Sequence, residues 1–291
     1  MSDQVKGSIC GILAAVCYGT NPLGALPLFS QGLQPCSVIF YRFSLAVLLL
    51  GIVMAVKRQS FAVTRRELAI MTGLGVIFAS SSLTLFTSFL YMDAGVASTI
   101  LFVYPVMVAV IMTAFFHERL TWVTVVSIAL ALSGIVLLSK GTGGASLSML
   151  GIVLVLISSL TYAVYIVVVN RSMQHISSFC LSFYVMVAAS ITVVAYSFTG
   201  ANHLQMLHGI NQWGLAVMLA VVPTVMSLVL MAVAVQKIGS TPTAIMGALE
   251  PLTAVVIGIT VFGEAFTARL AVGIVLILAA VLLIVAMKRN K

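Results

Sequence analysis

Ten apolar segments, each about long enough to cross a bilayer, follow one another along this chain. A hydrocarbon core roughly 30 Å thick requires about 20 apolar residues per helix. Polar or turn-forming residues delimit the segments at approximately 7–28, 35–56, 68–90, 95–116, 121–139, 148–169, 179–199, 212–235, 241–262 and 267–287. We therefore expect an all-α membrane protein of ten transmembrane helices, with no room for a soluble catalytic domain.

The composition agrees with a lipid environment. Of the 291 residues, 62% are apolar and 7% are charged, and the mean hydropathy is +1.23. Soluble domains carry about 25% charged residues. The net charge of +8 arises from basic residues at the segment ends, where they act as topology signals. We expect a lipid partner and no nucleic acid.

The distribution of Lys and Arg predicts the orientation. With both termini inside, nearly all basic residues fall on the inside, and only Lys140 and Arg269 fall in outside loops. Arg42 is the remaining cation and lies within the second segment. The positive-inside rule therefore predicts a multi-pass protein of the cell inner (plasma) membrane with both termini in the cytoplasm.

Two halves of the chain repeat one another. An offset of 146 residues carries Pro105 to Pro251, Glu118 to Glu264 and Thr121 to Thr267. Such a fixed offset indicates duplication, with one repeat over 1–140 and a second over 145–291. Each half holds five segments, an odd number, so the second half enters the membrane inverted. Secondary transporters with inverted repeats bind substrate near the midplane, between the halves.

Four prolines lie well inside the segments and predict breaks in the helices: Pro22, Pro105, Pro223 and Pro251. Each removes a backbone hydrogen bond, and broken helices in hydrocarbon tend to face a cavity. The alternative is a kink that only improves packing. Polar residues favour a path among segments 1, 3, 4, 6, 8 and 9, with segments 5 and 10 as an outer scaffold.

Two ionisable residues, Arg42 and Glu250, lie deep within segments, where charge is expensive and a functional role is the default hypothesis. They are candidates for gating or coupling. If they pair, the pair is a gate or a static structural bond. If Glu250 instead faces the cavity, it is placed to carry a proton or to meet an ammonium group. Glu118 and Glu264 precede the predicted helix N-termini at Thr121 and Thr267 and are expected to stabilise them.

No cluster of residues indicates catalysis. The four histidines lie at segment ends or in loops without H-E-x-x-H spacing, and the four cysteines show no paired spacing. We therefore expect no metal site. The chain also lacks the G-x-x-x-x-G-K-[ST] phosphate loop, so we expect no cofactor and no ATP hydrolysis.

Several of these motifs resemble the EamA-type members of the drug/metabolite transporter superfamily. The resemblance rests on Tyr41-Arg42-Phe43, Pro105, Glu118-Arg119-Leu120-Thr121, Glu250-Pro251 and the turn Gly263-Glu264-Ala265-Phe266-Thr267. It implies ten helices from a duplicated five-helix unit, a cavity lined by helices 1–4 and 6–9, and alternating access. It also implies export of amino acids, other metabolites or drugs.

The sequence thus predicts a secondary transporter, an exporter of small amphipathic metabolites, and not an enzyme. Candidate substrate contacts are Tyr18, Asn21, Tyr104 and Tyr162, because phenol and amide groups offer both hydrogen bonds and packing surface. An uptake permease, an exchanger, and a non-transporting sensor or partner-binding protein stay open, as do proton coupling and the oligomeric state.

Overall fold

The computed structural model describes residues 3–116, 122–139, 148–172, 176–199, 203–238, 243 and 246–289. These residues form helices and no strand. The helices are α1 Asp3–Gly19, α2 Asn21–Ser30, α3 Pro35–Val56, α4 Arg65–Ser88, α5 Ala94–Leu101, α6 Tyr104–Phe116, α7 Trp122–Ser139, α8 Met149–Ser172, α9 Ser178–Ser197, α10 Gly209–Ala220, a π-helical turn Val221–Met226, α11 Ser227–Ile238, α12 Leu249–Phe262 and α13 Ala268–Arg289.

Seven stretches of the described chain are long and apolar enough to cross a membrane: Asp3–Ser30, Pro35–Val56, Arg65–Ser88, Ala94–Phe116, Met149–Val169, Ser178–Ser197 and Gly209–Ile238. Three shorter apolar helices cover Trp122–Leu138, Leu249–Phe262 and Ala268–Leu283. Each of the ten predicted segments thus coincides with a helical stretch. The protein is an all-helical, multi-pass membrane protein, and the count of ten crossings stays a prediction.

Local sequence signals set several helix ends. Pro35 begins α3, a position where its missing N–H costs no hydrogen bond. Thr64 and Glu67 form a reciprocal capping box at α4, and the Ser177 hydroxyl accepts from the Cys180 N–H at α9. Gly263, with φ +69°, ends α12 in the left-handed region that favours glycine. The predicted turn at 117–121, with Glu118 and Thr121, lies outside the described residues.

The helix contacts are symmetric under exchange of the two halves. In the first half, α4 packs against α8 and α9. In the second half, the equivalent span of α10 and α11 packs against α1 and α3. Three further pairs join equivalent helices, namely α3 with α9, α5 with α12 and α7 with α13. Of these pairs, α7 and α13 have the most extensive contact.

A matched pair of serines shows the same symmetry in its hydrogen bonds. Ser81 of α4 bonds across to α8, with its Oγ 3.0 Å from the Ser158 carbonyl oxygen. Ser227 of α11 donates to the Ala14 carbonyl of α1 at 2.8 Å. The 146-residue offset carries Ser81 to Ser227. Interhelical hydrogen bonds of this kind hold membrane helices together where no hydrophobic effect between helices operates.

Small residues allow the closest helix contacts. A Cβ at Gly75 of α4 would collide with Ala188 and would lie 2.8 Å from the Val185 carbonyl oxygen and 2.9 Å from the Ala189 nitrogen of α9. At Gly73, two residues earlier on the same helix, a Cβ would meet nothing within 4 Å. Gly75 therefore sets how closely α4 and α9 approach.

We predict that Gly75→Val lowers the free energy of unfolding by about 1–3 kcal/mol, because the added side chain overpacks a backbone contact. Gly73→Val, the matched control, leaves stability almost unchanged. Thermal unfolding of the detergent-solubilised variants measures the difference. Equal melting temperatures for the two variants would contradict the close α4–α9 contact.

Candidate functional site

Each of the four predicted helix-break prolines lies where a helix is interrupted or begins. Pro22 is the second residue of α2, directly after the break at Thr20. Pro105 is the second residue of α6, and Pro251 is the third residue of α12. Pro223 lies in the π-helical turn that joins α10 to α11. The breaks bring irregular backbone into the middle of the spans, and the one at Pro223 lines the cavity described next.

A cavity of about 300 Å³ lies between α11 on one wall and α8 and α9 on the other. This volume falls at the lower end of the range for small-molecule sites, roughly 300–1,000 Å³. Its described lining comprises Tyr18, Arg42, Phe78, Tyr162, Tyr165, Ser178, Ser182, Val185, Met186, Pro223, Thr224, Ser227, Leu228, Met231, Ala232, Val235 and Gln236. The lining is mostly apolar, with a few hydroxyl groups and one guanidinium.

Among the described lining residues, those at the mouth of the cavity lie on one face of the molecule. Ser178 and Gln236 are exposed and lie at the start of α9 and near the end of α11. Arg42, at the other end of the lining, is 2% exposed. We call the side of Ser178 and Gln236 the open face, and the side that holds residues 31–37, 89–95, 203–208 and 263–267 the sealed face.

Arg42 occupies the blind end of the cavity, without an acidic partner. Its Nε donates to the Thr224 hydroxyl at 2.9 Å, and its Cζ lies 5.9, 5.8 and 5.5 Å from the ring centroids of Tyr18, Phe43 and Phe86. Among the described residues, no carboxylate lies within 4.0 Å of its nitrogens. Each cation–π contact stabilises the charge by about 0.5–2 kcal/mol, which is less than the desolvation penalty of a buried charge, about several kcal/mol.

The π-helical turn explains how Thr224 reaches Arg42. Its hydroxyl donates to the Leu219 carbonyl at 2.9 Å, five residues back, while accepting from the guanidinium. Insertion of one residue into the helix re-aims the side chains that follow, and π-turns are frequent at functional sites. Thr224 and Ser227 were not among the sequence candidates. The signal was present in the Pro223-Thr224 pair inside an apolar span.

A cluster of aromatic rings forms one side of the cavity. The Tyr162 and Tyr165 rings stack with centroids 5.9 Å apart, and Phe78 lies 5.4 Å from Tyr165. Tyr104 packs edge-on against Tyr162 at 4.7 Å. These rings present both apolar faces and hydroxyl groups to a small molecule.

The predicted site residues divide into two groups. Tyr18, Tyr162, Arg42 and Pro223 line the cavity. The remainder lie beside or behind its described lining: Asn21, Tyr104, Glu250, Pro22, Pro105 and Pro251. The second and seventh predicted segments (α3 and α9) supply lining residues. The fourth and ninth segments (α5 with α6, and α12), which the sequence placed around the polar path, supply none of those described.

Asn21 lies at the break between α1 and α2 and is 5% exposed. Its Nδ2 donates to the Tyr18 carbonyl at 2.7 Å, which ties the break to the residue that lines the cavity. Its Oδ1 is buried without a hydrogen-bond partner among the described residues. Asn21 therefore positions Tyr18 from behind.

Glu250 and Arg42 do not form a direct ion pair. Both lie near the tyrosines of the site, yet no contact within 4.0 Å joins the two charges. Glu250 is only partly buried and lies at the second residue of α12, beside the α1–α2 break, where its carbonyl oxygen packs next to Gly19. This geometry does not match a static structural pair and leaves the carboxylate available to other partners.

Hydrogen bonds close the sealed face between two segments that are far apart in sequence. The Gln34 N–H donates to Gln205 Oε1 at 2.6 Å, and Gln205 Nε2 donates to the Gly32 carbonyl at 3.0 Å. The Gln205 N–H donates to the Ser37 hydroxyl at 2.9 Å. This network joins the start of α3 to the segment before α10.

Aromatic side chains fill the space beneath this network. Phe29 meets Phe86 edge-on at 6.2 Å, and Phe86 stacks on Phe89 at 5.6 Å. Phe86 is 0% exposed and Phe89 is 7% exposed. The three rings close the route from the Arg42 end of the cavity to the sealed face.

A second contact on the sealed face involves Glu264. Its carboxylate accepts from the Ala94 N–H at 2.8 Å and from the Gly95 N–H at 3.2 Å, at the N-terminus of α5. Any side chain at Gly258 would overlap this carboxylate. The sequence prediction that Glu264 serves its own helix is therefore wrong: α13 is capped by the Thr267 hydroxyl, which accepts from the Leu270 N–H.

Burial and the nearby Asp93 charge raise the pKa of the Glu264 carboxyl above its ordinary value, and the two backbone N–H groups oppose this rise. The group lies in the loop between α12 and α13. In the described part of the chain, no three His, Cys, Asp or Glu residues cluster as metal ligands would.

The chain is similar to known proteins over nearly its whole length. A solved crystal structure superposes over 99% of both chains with a TM-score of 0.70 at 15% identity, a likeness of fold alone. An uncharacterized transporter of Bacillus subtilis, YcbK, is 27% identical over 272 residues, which cover 90% of this chain and 87% of the relative. An uncharacterized transporter of Clostridium kluyveri is 23% identical over 293 residues, which cover 94% and 91%.

The profile of the EamA-like transporter family matches twice, over residues 5–140 and 149–286. The two matches fall one in each half, in agreement with the duplication inferred from the 146-residue offset. The chain belongs to the EamA-like transporter family.

Proposed function

We propose that this protein is a secondary transporter that exports small amphipathic metabolites, such as amino acids or drugs, by alternating access. One observation carries the proposal: a cavity of small-molecule size reaches a buried guanidinium from the open face and is closed toward the sealed face. A pocket with a single opening that ends midway through a membrane protein is what alternating access requires of one of its states.

The charges assign the open face to one side of the membrane. The loop between α3 and α4 contacts the start of α9 at the open face, since the Tyr184 hydroxyl donates to the Phe61 carbonyl at 2.7 Å. This loop carries Lys57 and Arg58, and Arg65 and Arg66 follow it as the first two residues of α4. The positive-inside rule then makes the open face cytoplasmic, with both termini on that side of the inner membrane. Substrate would load from the cytoplasm, as export requires.

The second state follows from exchange of the inverted halves. The 146-residue offset relates the lining residues Ala232 and Val235 of α11 to Phe86 and Phe89 of α4. These two phenylalanines are the rings that now close the sealed face. When the halves exchange conformations, α11 closes the cytoplasmic side and α4 moves away from Phe29 to open the other.

Within the cavity we assign substrate contact to Tyr18 and Tyr162, which line it, and support to Asn21 and Tyr104, which hold these two tyrosines from behind. Substrate passes through chemically unchanged. Uptake by the same cycle is the alternative, and the flux measurement below separates the two directions.

Ser182 of α9 gives a test of the cavity. Ser182→Trp places an indole in the lining, and we predict that efflux of the transported metabolite from preloaded cells falls to the background rate. Ile191→Trp on the same helix is the control, because Ile191 is 64% exposed on the lipid-facing surface and its replacement leaves flux unchanged. Equal flux in both variants at equal surface levels would contradict a transport route through this cavity.

Glu250 is our candidate for coupling to protons. Glu250→Gln fixes the side chain in a neutral form, so we predict that efflux loses its dependence on external pH. Flux into and out of proteoliposomes at a series of pH gradients measures this dependence. A wild-type flux that ignores pH, with no change in Glu250→Gln, would rule out proton coupling through this residue and leave transport intact.

Glu264 predicts a pH effect on the sealed face. Because its pKa is raised in the sealed state, that state binds the proton more tightly than the solvated carboxyl does, so sealing is favoured at low pH and weakens as the pH rises through that pKa. Glu264→Gln is neutral at every pH and removes the dependence.

A cysteine at Ala94, 1% exposed beside Glu264, reports this change by its reaction with an impermeant maleimide in a chain without the native cysteines. The labelling rate is divided at each pH by that of an exposed reference cysteine, because the reactive thiolate fraction itself grows with pH. This ratio rises with pH in the parent and stays constant in Glu264→Gln. Glu67→Gln, which alters a capping acid of α4 instead, keeps the parent profile. A flat profile in the parent would show that Glu264 does not control the seal.

A further inference from the structure

The charge of the cavity is carried by a single residue. Among the lining residues that the structure describes, Arg42 alone is charged. It is 2% exposed and lies seven residues, roughly 10 Å, from the first residue of α3. Its positive charge is thus held deep in a membrane span and faces a space large enough for a ligand.

The groups in direct contact with Arg42 are neutral, and the Glu250 charge acts on it only from beyond ion-pair distance. Thr224 accepts one hydrogen bond, from Nε, and aromatic rings surround Cζ. A guanidinium has five N–H donors in a planar fork. The bond to Thr224 occupies one of these donors, which leaves the others for Tyr18 and for a ligand in the cavity that Arg42 lines.

The rest of the lining restricts the anion that fits. A guanidinium fork matches the two oxygens of a carboxylate in a bidentate contact. One cation balances one negative charge, whereas a phosphate dianion or a dicarboxylate would bring more charge than the described lining compensates. The lining also has an apolar part, with which inorganic anions make no favourable contact: Phe78, Val185, Met186, Leu228 and Met231.

We infer that Arg42 is the substrate-binding group of this transporter and that its ligands are organic monocarboxylates with an apolar body, the carboxylate seated on the guanidinium and the body along the apolar lining. This inference rests on the proposed transport function and deepens it by naming the substrate class. It replaces the gating role expected for Arg42 from the sequence. Zwitterions and simple acids share the required carboxylate.

Direct binding to purified protein tests the assignment without transport. Isothermal titration compares four ligands with the same phenyl body: 3-phenylpropanoate, its amide, phenylalanine and phenethylamine. Both carboxylates bind wild type, and the amide and the amine bind at least about tenfold more weakly, a difference of about 1.4 kcal/mol. If phenylalanine also binds more tightly than 3-phenylpropanoate and Glu250→Gln removes that advantage, the source of the carboxylate is a zwitterion. If the two bind equally, it is a simple acid.

Variants at Arg42 and at Lys57, the residue directly after α3, complete the test. Arg42→Gln abolishes the preference for carboxylate over amide, and Arg42→Lys keeps part of it, because a point charge remains without the fork. Lys57→Gln is the control, since Lys57 also lies over an aromatic ring, 4.8 Å from the Phe179 centroid, but is exposed at the end of the helix. It retains the wild-type preference.

If Arg42→Gln fails to fold, the wild-type ligand series alone tests whether the cavity binds carboxylates. Equal affinity of wild type for the carboxylate and its amide would overturn the assignment. So would a folded Arg42→Gln that keeps the preference. Carboxylates that bind in this way but do not cross proteoliposome membranes would refute the proposed transport and leave the binding site standing, whereas flux without any carboxylate preference would do the reverse.

Discussion

Hydrocarbon provides no partner for an unpaired charge or an unpaired backbone group, and this constraint organises the molecule. Arg42 is tolerated within a span because Thr224, three aromatic rings and a cavity surround it. Thr224 reaches it because Pro223 lies in a π-helical turn. Breaks in the helices and the buried charge therefore occur together, and the interior between α11, α8 and α9 is the place where both are accommodated.

Duplication explains how one set of contacts provides two states. Every principal contact between helices has a counterpart when the halves are exchanged, and Ser81 and Ser227 make equivalent interhelical bonds. The bundle departs from this symmetry at the cavity, which separates α11 from α8 and α9, whereas Phe86 in the equivalent part of α4 packs against Phe29. The two homologous halves thus adopt different conformations. Exchange of these conformations moves the opening of the cavity from one face to the other without a change of fold.

The sequence predicted much of this fold because membrane insertion leaves a strong pattern. The segment 35–56 coincides with α3, and the four prolines lie at helix breaks or starts, since both follow from local rules of hydrophobicity and backbone geometry. Side-chain direction within a span was harder to predict. Asn21, Tyr104 and Glu250 lie beside the described cavity lining because breaks and π-turns shift the helical register in ways that spacing does not show.

Long-range contacts were the other part that the sequence did not reveal. Glu264 precedes α13 by four residues, so a role at that helix was the local expectation, but its carboxylate crosses to the N-terminus of α5. Ser227 and Thr224 looked like ordinary polar residues in an apolar span. Their significance depends on Ala14 and Arg42, which are distant in sequence.

In alternating access the two faces of the transporter open in turn, and distances between pairs of spin labels on each face measure this directly. One pair, at Ser178 and Gln236, reports on the cavity mouth. Their repeat mates are Gly32 and Leu90, and Gln31 replaces Gly32 in the second pair because its φ of +86° favours glycine.

Double electron–electron resonance distances are then compared in the absence and presence of transported substrate. We expect two conformational populations. Relative to the first, the second has a longer Gln31–Leu90 distance and a shorter Ser178–Gln236 distance. A Gln31–Leu90 distance that stays fixed during transport, or that lengthens together with the other, would contradict alternating access by exchange of the two halves.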